Sequence, residues 1–362
     1  MKSNQLMRIV ALAALGVGLW LNTAAGQELK HGDPAPKLKT GKWLQGEPVK
    51  EFEQGKAYLV AFWTTASQPC RLAIPRLNDL HLKFKDKGLV VIGQDCVERD
   101  ESLVAPFLKG VGDKLAFRVA LDDHQGSPKG RMMETWVDAS GLKAIPLVFV
   151  VDKQGLIAWI GYPMALKEEV IEQVVAGEFD VKAAAAEAEQ FKKNVPALNS
   201  LKGKLDKSLG AKSWDEALAT LSEMEKLLPP DQRENLDMTR VGILLARKDS
   251  DAAYKLASKT SDDHQDNAMM QNEIAWMIVT NPTLEKPDLA LAEKLATRAN
   301  TAAREIEPTI LDTLARVMFM RDAKDKAIAL QEKAVNLAQA EEKAELQKTL
   351  ESYKKGELPK VN

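Results

Sequence analysis

The chain has 362 residues, a formal net charge of −2, and 28% charged against 45% hydrophobic residues. That length exceeds one small domain and predicts two, and the composition is that of a folded globular protein. The near-neutral balance excludes a protein that holds nucleic acid through a basic face.

Residues 1–26 read as a targeting segment. Lys2 and Arg8 give a positive start, residues 9–21 are apolar, and Ala24-Ala25-Gly26 offers small residues for cleavage before Gln27. The apolar stretch is short for a membrane span, so no stable span is expected after cleavage; the alternative is an uncleaved anchor. Cleavage would remove two positive charges and take the net charge from −2 to −4. The expected location is periplasmic or secreted. There, two cysteines, Cys70 and Cys96, allow one disulfide or two free thiols.

Residues 27–50 hold Gly32-Asp33-Pro34-Ala35-Pro36 and short mixed segments around Trp43 and Val49. Residues 57–63 are apolar without interruption and predict a buried strand. A polar turn follows. Leu72, Leu77, Leu80 and Phe84 then recur at helical spacing and predict a helix over 69–87, closed by Gly88. Residues 89–95 (LVVIGQD) predict a second buried strand, 100–112 a helix, 117–121 a short strand and 129–137 another helix. Ala144-Ile145-Pro146 leads into LVFVVD, a turn at Gly155 and LIAWIG, which reads as a β-hairpin. A helix over 166–176 ends an α/β domain near residue 180.

The organising stretch is 62–75, FWTTASQPCRLAIP. It resembles the active-site segment of exported thioredoxin-fold proteins of the TlpA/ResA group, which reads FWATWCGPCRxEMP. Pro69, Cys70, Arg71 and Pro75 fall in place, whereas Ser67 stands for the first cysteine and Gln68 for the glycine. The GDPAP phrase resembles the opening of the redoxin and TlpA families, where it leads into an extra N-terminal hairpin. Residues 144–161 resemble the segment GIPxxFxVDxxGxIxxxG, in which the proline is cis and faces the cysteine pair. The resemblance implies a thioredoxin-like α/β domain over 27–180 and thiol–disulfide oxidoreductase ancestry. It also implies protein thiols or peptides as substrates, with no metal, nucleotide or other cofactor.

On that pattern Cys70 is the thiol, partly accessible, with Ser67 donating a hydrogen bond to its thiolate. Trp63, Gln68, Pro69, Ile145 and Pro146 form a peptide-binding surface. The acidic or polar residue often placed two before the tryptophan is Ala61. Cys96, at the C-terminal end of a neighbouring strand, is a possible second thiol; free thiols are expected, with Cys96 mostly buried. Ser67 to Cys70 also resembles the T/S-x-x-C of peroxiredoxins, with Arg118 or Arg131 as the polarising cation. However, the proline expected four residues before the hydroxyl residue is Trp63. A redox enzyme, a non-catalytic peptide-binding or scaffold protein, and a single-cysteine peroxidase therefore stay open. Asp122-Asp123-His124 reads as a solvated turn without metal-ligand spacing.

From Val181 the chain turns rich in Ala, Lys and Glu. Ala217, Ala252, Ala292 and Ala327 are spaced by 35, 40 and 35 residues, with a loop insertion at 281–287. The period resembles tetratricopeptide (TPR) repeats and predicts an all-α TPR-like domain over 181–362 that recruits a partner protein. Residues 340–355 would cap it. The alternative is a non-repeating helical bundle. Met269, Met270, Trp276, Met277, Met318, Phe319 and Met320 form a stripe that predicts core, with a peptide groove as the second reading.

Overall fold

The computed structural model describes residues 28–98, 100–142, 144–229 and 232–360. The targeting segment read at 1–26 lies outside them. The chain forms two compact units, one ending at Lys193 and the other starting at Asn194.

The first unit is built on strands β1 (Thr40–Gln45), β2 (Ala57–Trp63), β3 (Leu89–Asp95), β4 (Arg118–Asp122), β5 (Leu147–Val151) and β6 (Ile157–Gly161). They lie side by side in the order β1-β4-β3-β2-β5-β6. Every residue of β2 is buried, because the strand is central and covered on both faces. β2 runs parallel to β3 and antiparallel to β5, with Trp63 opposite Asp95 and Phe62 opposite Leu147. On one face Trp136 packs against Phe62, Phe149 and Phe52, with ring centroids 5.1–6.1 Å apart. This is the mixed sheet of a thioredoxin-like α/β domain.

Helices α1 (Gln68–Phe84), α2 (Val104–Val111) and α3 (Glu168–Ala176) complete the unit. α1 runs into a 3₁₀ turn that Gly88 ends at φ +95°, a left-handed conformation that glycine adopts without a Cβ clash. Three expectations change. Residues 28–50 contribute the single strand β1, antiparallel to β4, in place of a hairpin. The helix expected over 100–112 shrinks to α2, flanked by 3₁₀ turns. The segment expected as a helix over 129–137 closes in a π-helical turn, Met133–Val137.

The composition change at Val181 coincides with the start of a 31-residue helix, α4 (Val181–Ala211). The second unit continues with α5 (Trp214–Leu227), α6 (Glu234–Ala246), α7 (Ser250–Asp263), α8 (Ala268–Thr280), α9 (Leu289–Ala302), α10 (Pro308–Met320), α11 (Lys324–Leu337) and α12 (Ala340–Lys354). From α5 to α11, each helix packs on the next. In addition α6 touches α8, α8 touches α10 and α7 touches α9, so alternate helices form two layers. Ala217, Ala292 and Ala327 are fully buried on α5, α9 and α11. On α7 the fully buried alanines are Ala253, one residue after Ala252, and Ala257. Met270, Met277, Met318 and Phe319 join the core, whereas Trp276 and Met320 lie at its margin.

Candidate active site

β2 ends at Trp63, residues 64–67 turn, and α1 begins with Ser67 as the N-cap residue in extended backbone. Pro69 lies in the first turn, where its missing N–H costs no helical bond. Cys70 follows in the same turn. Its side chain is 1% exposed, so the expectation of a partly accessible thiol is corrected: the sheet and α1 cover it. Burial pushes the Cys70 thiol up to about 11. A hydrogen bond from Ser67, the Thr64 backbone and the Arg71 charge pull the other way, and the Asp95 charge adds to the rise. A helix N-terminus favours an anion by about 0.3–1 kcal/mol, less than one unit of pKa, whereas desolvation can move a buried group several units. Desolvation wins here.

Arg71 is itself buried and donates from Nη1 to the Thr65 carbonyl at 3.0 Å, pinning the turn from beneath. The Thr65 N–H donates to a Glu98 carboxylate oxygen. Glu98 in turn shares a side-chain hydrogen bond with Asp95, the last residue of β3. Asp95 is almost fully buried, and its carboxyl is pushed up to about 9, first by burial and then by Glu98, Glu101 and Asp122. Sequence reading missed Asp95 and Glu98. The available signal was an acid closing an otherwise uncharged strand, LVVIGQD, beside a cysteine.

Cys96 follows directly. Its N–H donates to the Trp63 carbonyl at 2.9 Å, and its Sγ lies 3.5 Å from the same oxygen. The thiol is 2% exposed, and burial raises its pKa, with Asp95 and Cys70 adding to the rise. Both cysteines are free. Parallel pairing of β2 and β3 thus brings Cys70, Asp95 and Cys96 to one end of the sheet.

The remaining site residues divide by exposure. Ser67, Gln68, Pro69 and Ile145 are half-buried and form a rim, whereas Pro146 is buried. The Ile145–Pro146 bond is cis. Trp63 is buried under Phe107, 5.7 Å between ring centroids, so it presents no binding surface, contrary to the sequence reading. Its indole lies over Gly93, where a Cβ would come within 3.1 Å of Nε1. Neither arginine considered for a peroxidase points at Cys70. Arg118 donates to the Glu47 carbonyl at 3.0 Å, and Arg131 pairs with Asp123 at 2.8 Å. A cleft of about 450 Å³ elsewhere in this unit is lined by residues of β1, α2 and the segment after α2, and by none of these site residues.

Residues 31–160 match the AhpC/TSA family. The chain is 30% identical over 161 residues to the protein FixW of Rhizobium leguminosarum, covering 42% of this chain and 68% of that one. It is 30% identical over 164 residues to the thiol-disulfide oxidoreductase ResA of Bacillus anthracis, covering 43% of this chain and 87% of ResA. This chain belongs to the ResA-like thiol-disulfide oxidoreductase family. Among solved structures, the thioredoxin domain of a thiol-disulfide oxidoreductase from Bacteroides vulgatus overlays 42% of this chain and 100% of its own, with 24% identity and a TM-score of 0.33.

The turn between β2 and α1 holds one thiol, Cys70, and a hydroxyl at Ser67. A hydroxyl cannot form a disulfide, so the turn by itself cannot cycle between dithiol and disulfide. No helix of the described residues is long and apolar enough to cross a membrane.

Proposed function

We propose that this chain is an exported member of the family that binds protein thiols or peptides at the Ser67–Cys70 turn and does not turn over as a dithiol. One observation carries the reading: Cys70 is buried and its thiol is pushed up to about 11. At pH 7 that leaves about one molecule in ten thousand as thiolate, the form that attacks disulfides. The half-buried rim of Ser67, Gln68, Pro69 and Ile145 supplies the contact surface, with Pro146 behind it. Asp95, close by, adds to the rise of the Cys70 thiol through its charge.

The test is insulin reduction with a dithiol as electron source. The native protein should work at no more than a few per cent of a CxxC relative. Ser67→Cys should raise the rate at least tenfold, because the frame is intact. Robust native turnover that survives Cys70→Ala would overturn the reading.

The helical unit supports a second module. Its two layers of alternate helices, with a buried alanine on α5, α7, α9 and α11, are those expected of TPR-like stacking, and we assign it the recruitment of a partner protein.

A further inference from the structure

In the layer formed by α6, α8 and α10, α8 carries a face that is neither core nor open surface. Met269, Glu273, Trp276 and Thr280 recur at spacings of three and four residues and are half-buried, whereas Ile274, Met277 and Ile278 behind them are buried in the core. Asn272 borders that face one helical turn before Trp276 and is 5% exposed.

Two polar groups there lack what burial demands. The Asn272 carbonyl oxygen, Oδ1, is enclosed and accepts no hydrogen bond. Burial alone pushes the Glu273 carboxyl up, and no cation of the described residues pulls it back. The other acids of this layer are provided for. Asp237 of α6 accepts from Arg240 at 2.6 Å, and Asp312 of α10 accepts from Gln331 at 2.8 Å and feels the Arg316 charge. Arg316 also donates to the Pro359 carbonyl at 3.0 Å, beyond the turn at Gly356, and lies 5.7 Å from the Trp276 ring centroid. The ring thus already receives a cation from α10, while Glu273, three residues before it, is left unmatched.

An enclosed acceptor without a donor lowers stability, and so does a carboxylate drawn out of water without a cation. Asn272 Oδ1 and an ionised Glu273 both accept hydrogen bonds, and an aromatic face attracts positive charge. Residues 272, 273 and 276 set these three around a single turn of helix. A compact ammonium with three N–H bonds suits that arrangement better than the planar fork of a guanidinium.

We propose that the Asn272–Glu273–Trp276 face of α8 is a docking site for a lysine side chain of a partner protein. The ammonium is received by the Glu273 carboxylate and Asn272 Oδ1, and the methylene stem lies along the indole. The proposal rests on assigning partner recruitment to the helical unit, names the charge that unit recognises, and is independent of Cys70.

The probe is the peptide acetyl-GGKGG-amide, titrated into the full chain with isotope-labelled tryptophan and followed by NMR at the Trp276 indole N–H, which Trp276→Phe assigns. That resonance should shift saturably. Acetylating the lysine, which removes its charge, should weaken binding about tenfold, and so should Glu273→Gln, because hydrogen bonds between charged groups are the strong ones. Asn272→Leu should weaken it to a smaller extent. Both variants should melt at or above the native temperature, since each removes an unmatched polar group, so their loss of binding is not a loss of fold. A native chain that shows no shift overturns the site and leaves partner recruitment through another face of the helical unit standing. An equal response to the acetylated peptide, or in Glu273→Gln, overturns it as well, because the ring alone would then be the binder. Variants that melt below the native chain show that Asn272 and Glu273 serve the fold, and overturn it too.

Discussion

Cys70 sits in the first turn of a helix whose dipole favours an anion, yet its pKa rises. The thiol is enclosed by β2, β3 and α1, and removing a charge from water costs more than a half-charge of helix dipole returns. Asp95 follows the same rule more strongly. Unfolded, its carboxyl titrates near 4; folded, it is pushed up to about 9. An acid raised on folding contributes stability that is complete below its unfolded pKa and is lost as pH climbs through the folded one. Thermal melts should therefore show the protein losing stability between about pH 4 and pH 9. Asp95→Asn keeps a donor for Glu98 and removes the titration, so its melting temperature should fall less across that window and exceed the native one at pH 8–9. An unchanged pH slope in the variant would remove Asp95 from this account.

Among the elements, the Asp122-Asp123-His124 turn organises the segment after it. The buried Asp122 carboxylate accepts from the Met132 and Met133 N–H groups at 2.8 and 2.9 Å and from Asp123 N–H at 2.7 Å. It caps the turn that carries Trp136 into the aromatic core. Gly130 makes room for it, since a Cβ there would lie 2.2 Å from an Asp122 oxygen. A buried cap with several donors is worth about 1–2 kcal/mol, and stranding those donors adds to the cost. Asp122→Ala should lower unfolding free energy by about 2–3 kcal/mol in a urea titration, with Asp122→Asn intermediate. Loss of less than about 0.5 kcal/mol would show that water replaces the cap. The sequence held no direct sign of this role, because the cap and its donors are about ten residues apart and no helical period links them.

Across the full chain, each unit has its own core. The helical unit buries Met238, Ile274, Leu295, Leu314, Phe319 and Tyr353 in one cluster, with a second around Leu311, Leu346 and Leu350. Cores of that extent, made of contacts between sequence neighbours, fold without long-range strand pairing. Residues 194–360 expressed alone should give a strongly helical circular dichroism spectrum and a cooperative melt. A disordered spectrum would show that this unit depends on the rest of the chain.

The strands after β1, α1, the hairpin and the helical second half were legible because each is governed by local pattern. Uninterrupted apolar runs mark central strands, Leu72 to Phe84 repeats at helical spacing, and Gly88 and Gly155 mark turns. The Ser67–Cys70 turn was equally legible, being contiguous. Burial and partnership were not. Trp63 reads as surface until Gly93 and Phe107 are brought around it, and Cys70 reads as accessible until the sheet closes over it. Asp95 becomes a neighbour of both thiols only through the parallel register of β2 and β3, and Arg316 meets Pro359 only because Gly356 reverses the chain. Local sequence sets backbone preference and which faces are apolar. The dielectric around a charge and the partner of a donor depend on residues far away in the chain, and only the tertiary structure brings them together.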